Sequence, residues 1–196
     1  MKDAAPQPIY LKDYKAPDYL IDEVHLTFEL HNTETKVKSR LNIKRNYKDE
    51  EPGHVRPLVL NGEELKLLKV SIDGQELKSG EYDIADDVLL IAGVPEQFTL
   101  EVENLINPQA NKALDGLYKS GSIFCTQCEP EGFRRITYYL DRPDVMAKFT
   151  TKVIADKSLY PILLSNGNPI GEGELENGFH WVEWEDPFLK PAYLYA

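Results

Sequence analysis

The chain has 196 residues and a net charge of -11, from 22 Lys and Arg against 33 Asp and Glu. Hydrophobic residues make up 42% and aromatic residues 10%, which excludes a disordered polymer and allows a sizeable core. The acidic charge repels phosphate backbones, so we expect no nucleic-acid partner. No stretch approaches the ~20 apolar residues of a membrane span, and residues 1–14 lack the apolar region of a signal peptide. We therefore expect a cytoplasmic protein without a membrane partner.

Apolar and polar residues alternate with a period of two along most of the chain, which predicts β-strands. The alternating or short apolar stretches lie at residues 24–30, 37–43, 58–60, 70–72, 88–91, 98–102 and 149–155. A hairpin connection is expected at residues 32–34, between the first two strands. Dipeptides that favour tight turns lie between or beside the later strands, at Asn61-Gly62, Asp73-Gly74, Asp86-Asp87, Asn166-Gly167 and Asn177-Gly178. Strands and turns at this spacing predict an all-β domain of antiparallel strands, either a sandwich or a barrel-like one.

Helical signals are few. Pro143, at a first-turn position ahead of Val145, Met146 and Ala147, predicts one short helical turn. Residues 63–69 have helical propensity but are too short for a stable helix and lie between strands. The sequence therefore predicts a single all-β domain over residues 1–196, with at most one or two short helical turns.

The alternation breaks down over residues 104–135, and a long irregular segment in a compact domain is often functional. Cys125 and Cys128 form a single C-x-x-C motif, which gives zinc only two ligands and lacks the βαβ context of a redox motif. We interpret them as structural thiols, with a metal or a redox role left open. Glu129 and Glu131 are predicted either to form a solvated acidic loop or, on an extended backbone, a carboxylate pair of the glycosidase kind.

Recognisable catalytic motifs are missing from the sequence: it has no H-E-x-x-H, P-loop, G-x-G-x-x-G or G-x-S-x-G. Trp181 and Trp184 suggest a carbohydrate platform, but an offset of three puts them on opposite faces of a strand. We expect one of them to pack in the core and the other at a rim. A free-standing β-sandwich that binds protein or carbohydrate remains the alternative function.

Three motifs follow one another in and after the irregular segment. They are F-C-T-Q-C-E-P at residues 124–130, an arginine at 134 or 135, and Y-L-D-R-P at 139–143 followed by K-F at 148–149. Their order and spacing resemble the signature of the M1 zinc aminopeptidases, most closely the bacterial alanyl aminopeptidase branch. Similar motifs at residues 160–168 and 184–194 extend the likeness over residues 114–196, while residues 1–113 agree in length, β character and Y-K-A-P-D-Y at 14–19.

The resemblance implies a large multidomain enzyme whose N-terminal domain is a saddle-shaped β-sandwich. In that family the glutamate of T-Q-x-E, here Glu129, binds the free α-amine of the substrate, and the glutamine, here Gln127, lines the pocket for the first side chain. A buried ammonium needs a fixed counter-charge, which supports such a role for a carboxylate. Strand alternation would place Gln127 and Glu129 on one face.

The sequence lacks the G-x-M-E-N motif, the H-E-x-x-H zinc helix and the oxyanion tyrosine that the family carries. The chain is therefore expected to be the N-terminal domain of a zinc metallo-aminopeptidase, isolated from the rest, with no catalytic residue and no metal ligand of its own. Zinc is expected only in the full-length enzyme, and the fragment alone is expected to be inactive. Its expected partners are peptides with a free N-terminus and the missing catalytic domain, which would dock on an exposed apolar face.

Overall fold

A computed structural model describes residues 10–31, 33–48 and 55–196. The described residues form thirteen strands, in which period-two alternation puts apolar side chains on the inner face. The strands are β1 (Tyr19–Glu29), β2 (Thr35–Arg45), β3 (Leu58–Asn61), β4 (Lys66–Ile72), β5 (Gln75–Glu76), β6 (Tyr82–Ala85), β7 (Val88–Ile91), β8 (Gln97–Ile106), β9 (Gly116–Ser120), β10 (Ile123–Gln127), β11 (Met146–Asp156), β12 (Asn168–Glu174) and β13 (Phe179–Pro191).

Eight strands make one large sheet in the order β12-β13-β11-β1-β2-β8-β4-β5. A smaller sheet has the order β3-β7-β6, and β9 and β10 form a separate hairpin. The pairs are antiparallel except that β1 and β11 run parallel, with Val24 opposite Phe149. Alternation along a strand is the same for both directions, so the sequence could not distinguish this one parallel pair from its antiparallel neighbours. The all-β prediction is confirmed, with antiparallel pairing dominant.

The core lies between the large and the small sheet. Alternate residues of β1, β2, β8 and β11 are buried, and they join buried residues of β3 and β7 in a single apolar cluster. Phe133, from the segment between β10 and β11, is fully buried in this cluster. Its ring centroid lies 4.7 Å from that of Tyr139, 5.9 Å from that of Phe149 and 5.3 Å from that of Tyr195. The irregular segment is thus anchored in the core.

Several predicted turns are confirmed. Asp73 and Gly74 have positive φ and join β4 to β5, and Asp86 and Asp87 do the same between β6 and β7. Asn177-Gly178 lies between β12 and β13, as expected. The connection between β1 and β2 was expected at residues 32–34, of which residue 32 lies outside the described part of the chain.

The hairpin expected at Asn61-Gly62 is wrong. Strand β3 pairs with β7 rather than with β4, and Asn61 instead forms an isolated bridge with Tyr139. Gly62 is needed because a side chain there would approach the ring of Tyr138, with a Cβ only 2.4 Å from its Cδ1. The glycine therefore provides space for an aromatic ring and not a tight hairpin.

The short helix expected at Pro143 is also wrong. Pro143 and Asp144 form a turn closed by the backbone N–H of Val145, which donates to the Arg142 carbonyl at 3.2 Å. Met146 and Ala147 already belong to β11, whose pairing with β13 outweighs local helical propensity. The helical segments of the described residues are four 3-10 turns of three residues each, rather than one or two, at Leu11–Asp13, Phe133–Arg135, Glu176–Gly178 and Ala192–Leu194. None of these is long or apolar enough to cross a membrane.

The aromatic anchor gives a prediction for stability. Phe133→Ala removes a fully buried ring and leaves a cavity, so it should lower the free energy of unfolding by ~3–5 kcal/mol in urea titrations. Phe188→Ala is the control, because Phe188 is 77% exposed and its loss should change stability by less than ~0.5 kcal/mol. Equal effects of the two substitutions would contradict the anchoring role.

Candidate functional site

The site begins where β10 ends. Gln127 is the last residue of β10 and lies opposite Gly116 of β9. The backbone then reverses in a turn over residues 128–132, which the Gly132 N–H closes by donating to the Cys128 carbonyl at 2.9 Å. Gly132 fits because a Cβ there would lie 2.4 Å from the Gln127 carbonyl oxygen and 3.0 Å from the Gly116 nitrogen. We call this segment the 128–132 turn.

Gln127 and Glu129 come together, although not as strand alternation predicts. The strand stops at Gln127, so Glu129 lies on the 128–132 turn and not on an extended backbone. The Gln127 Nε2 donates to the Glu129 carbonyl oxygen at 3.3 Å, and both residues are exposed. The peptide bond between Glu129 and Pro130 is cis. The prediction that strand alternation places these two residues on one face is therefore wrong, because the strand ends at Gln127. The two residues are nevertheless in contact through the hydrogen bond from the Gln127 amide.

The Glu129 carboxylate is solvent-exposed, and no cation of the described residues forms an ion pair with it. Glu131 differs, because its carboxylate lies 3.4 Å from Nη1 of Arg134. The two glutamates thus lie on a turn in different electrostatic settings. This arrangement does not support the alternative of a glycosidase-type pair on an extended backbone.

Arg134 links the turn to a buried carboxylate. Its Nε and its backbone N–H both donate to Oδ2 of Asp141, at 3.0 and 3.1 Å, and its Nη2 donates to the Asp141 carbonyl at 3.2 Å. Asp141 is 5% exposed. Burial raises the pKa of Asp141, and the hydrogen bonds from Arg134 oppose that rise. The motif places both residues close to Glu129 in the sequence, but their pairing was not predicted, because it depends on how the backbone folds between residues 134 and 141.

Arg135 ties the same segment to the connection between β3 and β4. Its guanidinium nitrogens lie 3.0 Å from the Glu63 carboxylate and 2.9 Å from that of Glu64. The backbone N–H of Glu63 donates to the Arg134 carbonyl at 2.9 Å. The motif predicts one arginine, at 134 or 135, and the structure shows that each of these two arginines contacts two carboxylates.

The two cysteines occupy different environments. Cys128 is buried, and burial, with Asp141 and Asp115 adding negative charge nearby, raises the pKa of its thiol to about 12. A redox-active cysteine needs a lowered pKa, so the redox hypothesis receives no support from Cys128. Cys125 is half-buried on β10. Within residues 10–31, 33–48 and 55–196, no cluster of three or more His, Cys, Asp or Glu side chains could hold a metal ion.

The tryptophans do not form an open platform for a sugar ring. A Cβ at Gly171 or at Gly173 would lie 3.2 Å or less from the indole of Trp181, so that indole lies directly on β12. The Lys152 ammonium lies 3.7 Å from the centroid of the same ring and covers it from another side. The Nε1 of Trp184 donates to the Leu163 carbonyl at 3.3 Å. The Trp181 ring, covered by β12 and Lys152, is therefore not open for stacking against a sugar, and the Nε1 of Trp184 already has a protein partner.

An apolar groove of about 470 Å³ lies beside the β9–β10 hairpin. Its floor is made of core residues that include Phe28, Val153 and Tyr195. On its rim, Ile162 is 74% exposed and Ile123 is 64% exposed. Large apolar side chains exposed together mark a contact surface.

The fold and the 128–132 turn together define a β domain that presents an acidic and amide-bearing turn beside an apolar groove. Residues 13–194 match the family model of the Peptidase M1 N-terminal domain, and the chain belongs to this family.

Curated relatives agree with that assignment. The chain is 53% identical to aminopeptidase N of Escherichia coli over 191 residues, which is 97% of this chain and 21% of the relative. It is 48% identical to aminopeptidase N of Caulobacter vibrioides over 196 residues, or 22% of that protein. The chain therefore spans about a fifth of the length of these relatives.

Solved structures show the same fold. Aminopeptidase A of Legionella pneumophila, in complex with aspartic acid, superimposes with a TM-score of 0.86 at 37% identity, covering 94% of this chain and 22% of that one. An M1 zinc metallopeptidase of Deinococcus radiodurans gives a TM-score of 0.74 at 16% identity, covering 91% of this chain and 41% of that one. The second likeness concerns the fold alone.

The buried thiol gives a pH prediction. The pKa of Cys128 is raised to about 12 in the folded chain, against about 8.5 when unfolded, so folding favours the neutral thiol. Its contribution to stability is fully present below about pH 8.5 and is lost as the pH rises towards 12, by about 1.4 kcal/mol per pH unit. In urea unfolding between pH 9 and pH 10, stability should fall with pH in the unchanged chain and in Cys125→Ala, and less steeply in Cys128→Ala. Identical slopes in all three proteins would contradict the buried setting.

Proposed function

We propose that this chain is the N-terminal domain of a zinc-dependent aminopeptidase, a cytoplasmic hydrolase that removes N-terminal residues from peptides. The proposal is supported by the family and by relatives named aminopeptidase N at 53% and 48% identity. Because the described residues offer no set of metal ligands, we assign zinc and the hydrolytic groups to a domain outside this chain. The chain alone is expected to be inactive.

The observation that carries the proposal for this domain is the carboxylate of Glu129, which forms no ion pair with any cation of the described residues. The carboxylate is exposed on a turn whose neighbouring charges are already neutralised, since Arg134 pairs with Glu131 and Asp141. A substrate ammonium that reaches Glu129 can therefore form a charge-assisted hydrogen bond without displacing a protein cation. Enclosing the site against another domain would remove water and strengthen this attraction. Glu129 then selects peptides with a free N-terminus and aligns their first peptide bond.

Gln127 is proposed to contact the first side chain of the substrate. Its position at the end of β10 is fixed by the pairing with Gly116, and its amide already contacts the backbone of residue 129. A side chain extending from a substrate whose amine is bound by Glu129 would pass close to this amide. The residue therefore contributes part of the wall of that pocket.

The partner of the apolar groove is proposed to be the catalytic domain of the same polypeptide. The relatives are nearly five times as long as this chain, so they contain sequence that could cover it. Burying rim residues such as Ile162 and Ile123 would add ~25 cal/mol for each Å² of apolar surface removed from water. This docking would place the 128–132 turn, which is next to the groove through β10, at an interdomain cleft.

The amine-binding role is tested in the full-length enzyme. Glu129→Ala removes the proposed counter-charge of the ammonium and should lower kcat/KM by ~2–4 kcal/mol, or ~30- to 900-fold. Steady-state kinetics on a dipeptide amide with a free N-terminus measure this loss. Glu176→Ala, at an exposed glutamate on a distant 3-10 turn, is the control and should leave kcat/KM unchanged. Near-normal activity of Glu129→Ala would refute the role.

Gln127 is tested by selectivity. Gln127→Ala should change the ratio of kcat/KM between substrates that begin with Ala and with Phe by ~1 kcal/mol, about fivefold, because a pocket contact is lost. Glu129→Ala should lower both values together and leave their ratio near its original value. A ratio that Gln127→Ala leaves unchanged would remove Gln127 from the pocket.

The sequence downstream of this domain separates the proposal from a free-standing binding module. An open reading frame that continues into G-x-M-E-N and H-E-x-x-H motifs would supply the exopeptidase and zinc groups that this chain lacks. A gene without them would leave a β-sandwich that binds a partner without catalysis, and Glu129 would need another role.

A further inference from the structure

We propose that Arg134 and Asp141 are positioning residues for the Glu129 carboxylate, which they hold in place through the 128–132 turn. This inference rests on the proposed function of Glu129. Neither residue is assigned to contact the substrate. Their effect on the reaction would pass through the geometry of the turn.

Asp141 is the fixed point of the arrangement. It is 5% exposed and directly follows Tyr139 and Leu140, which are 0% and 8% exposed. Tyr139 is held in place by reciprocal backbone hydrogen bonds with Asn61, at 2.8 and 3.0 Å. The Asp141 carboxylate therefore cannot move without disturbing the core. A buried carboxylate also requires its partner, because an unpaired buried charge costs several kcal/mol.

Arg134 transmits this fixed position to the turn. Three of its nitrogens donate to Asp141, two of them from the side chain, so the plane of the guanidinium has one preferred orientation. In that orientation Nη1 lies 3.4 Å from the Glu131 carboxylate. Glu131 is two residues beyond Glu129 on the same turn. The arginine thus connects the core to the part of the turn that carries the amine-binding carboxylate.

The two ends of the turn are fixed independently of Arg134. Cys128 is 2% exposed, and Gly132 is enclosed by the Gln127 carbonyl and the Gly116 nitrogen. With both ends held, the ion pair between Glu131 and Arg134 restrains the middle of the turn. A guanidinium released from Asp141 would also be available to other carboxylates, in competition with the substrate ammonium.

The experiment compares two inhibitors of the full-length enzyme that have no cleavable amide and differ only in the α-amine, phenylalaninol and 3-phenylpropan-1-ol. The ratio of their inhibition constants measures how much the enzyme gains from the amine. Arg134→Lys keeps the charge but loses the planar fork of donors, and it should reduce this ratio about 10-fold, in line with losses at residues that orient a ligand-binding group. Binding of 3-phenylpropan-1-ol should stay unchanged, which a general structural defect would not produce.

Matched variants make the result decisive. Arg142→Lys is the control, because Arg142 binds Asp144 through Nε and Nη2 at 2.8 and 2.7 Å in a separate pair, and its ratio should not change. Glu131→Gln alters an exposed side chain without threatening the fold and should reduce the ratio about threefold. If thermal melting shows that Arg134→Lys fails to fold, the ratio of inhibition constants in Glu131→Gln tests the positioning role instead.

Two outcomes overturn different claims. If Glu129→Gln abolishes the amine preference while Arg134→Lys and Glu131→Gln keep the original ratio within twofold, the positioning role is wrong and Glu129 keeps its function. If Glu129→Gln itself keeps the original ratio, the proposed function of Glu129 is wrong. A reduced ratio in Arg134→Lys and Glu131→Gln, with Arg142→Lys unchanged, supports the inference.

Discussion

The irregular segment is anchored to the core by one aromatic side chain. Phe133 is fully buried and packs edge-on against Tyr139, Phe149 and Tyr195, which come from three different parts of the chain. Without such an anchor, a turn outside the sheets would have to be ordered by hydrogen bonds alone, against the entropy cost of fixing each residue. With it, the segment that carries the 128–132 turn is attached to the buried core of the domain.

Charge pairing around the turn leaves the Glu129 carboxylate without a cation from the described residues. Arg134 is shared by Glu131 and Asp141, and Arg135 is shared by two glutamates of the neighbouring connection. Both arginines are therefore paired with other carboxylates, and neither neutralises Glu129. An unneutralised carboxylate attracts an ammonium and repels another carboxylate. This property is what the proposed binding of a peptide by its N-terminus requires.

Most of the fold follows from local pattern, and most of the site does not. Strands such as β8 and β11 were predicted because a half-buried strand repeats every two residues, and that period needs only neighbouring residues. The failures at Asn61-Gly62 and Pro143 have a common cause, since each local signal was overridden by contacts with distant residues, namely Tyr138 and strand β13. Gln127 and Glu129 were identified through a motif of a family. The link between Arg134 and Asp141 depends on how the backbone folds between these two residues, which no spacing rule predicts.

The binding of the substrate amine by Glu129 is tested by a crystal structure of the full-length enzyme with bound phenylalaninol. We expect the amine nitrogen to lie ~2.7–3.0 Å from an oxygen of Glu129, with Arg134 still bound to Asp141. An amine that contacts only other groups, with the Glu129 carboxylate in solvent or paired with a protein cation, would contradict it.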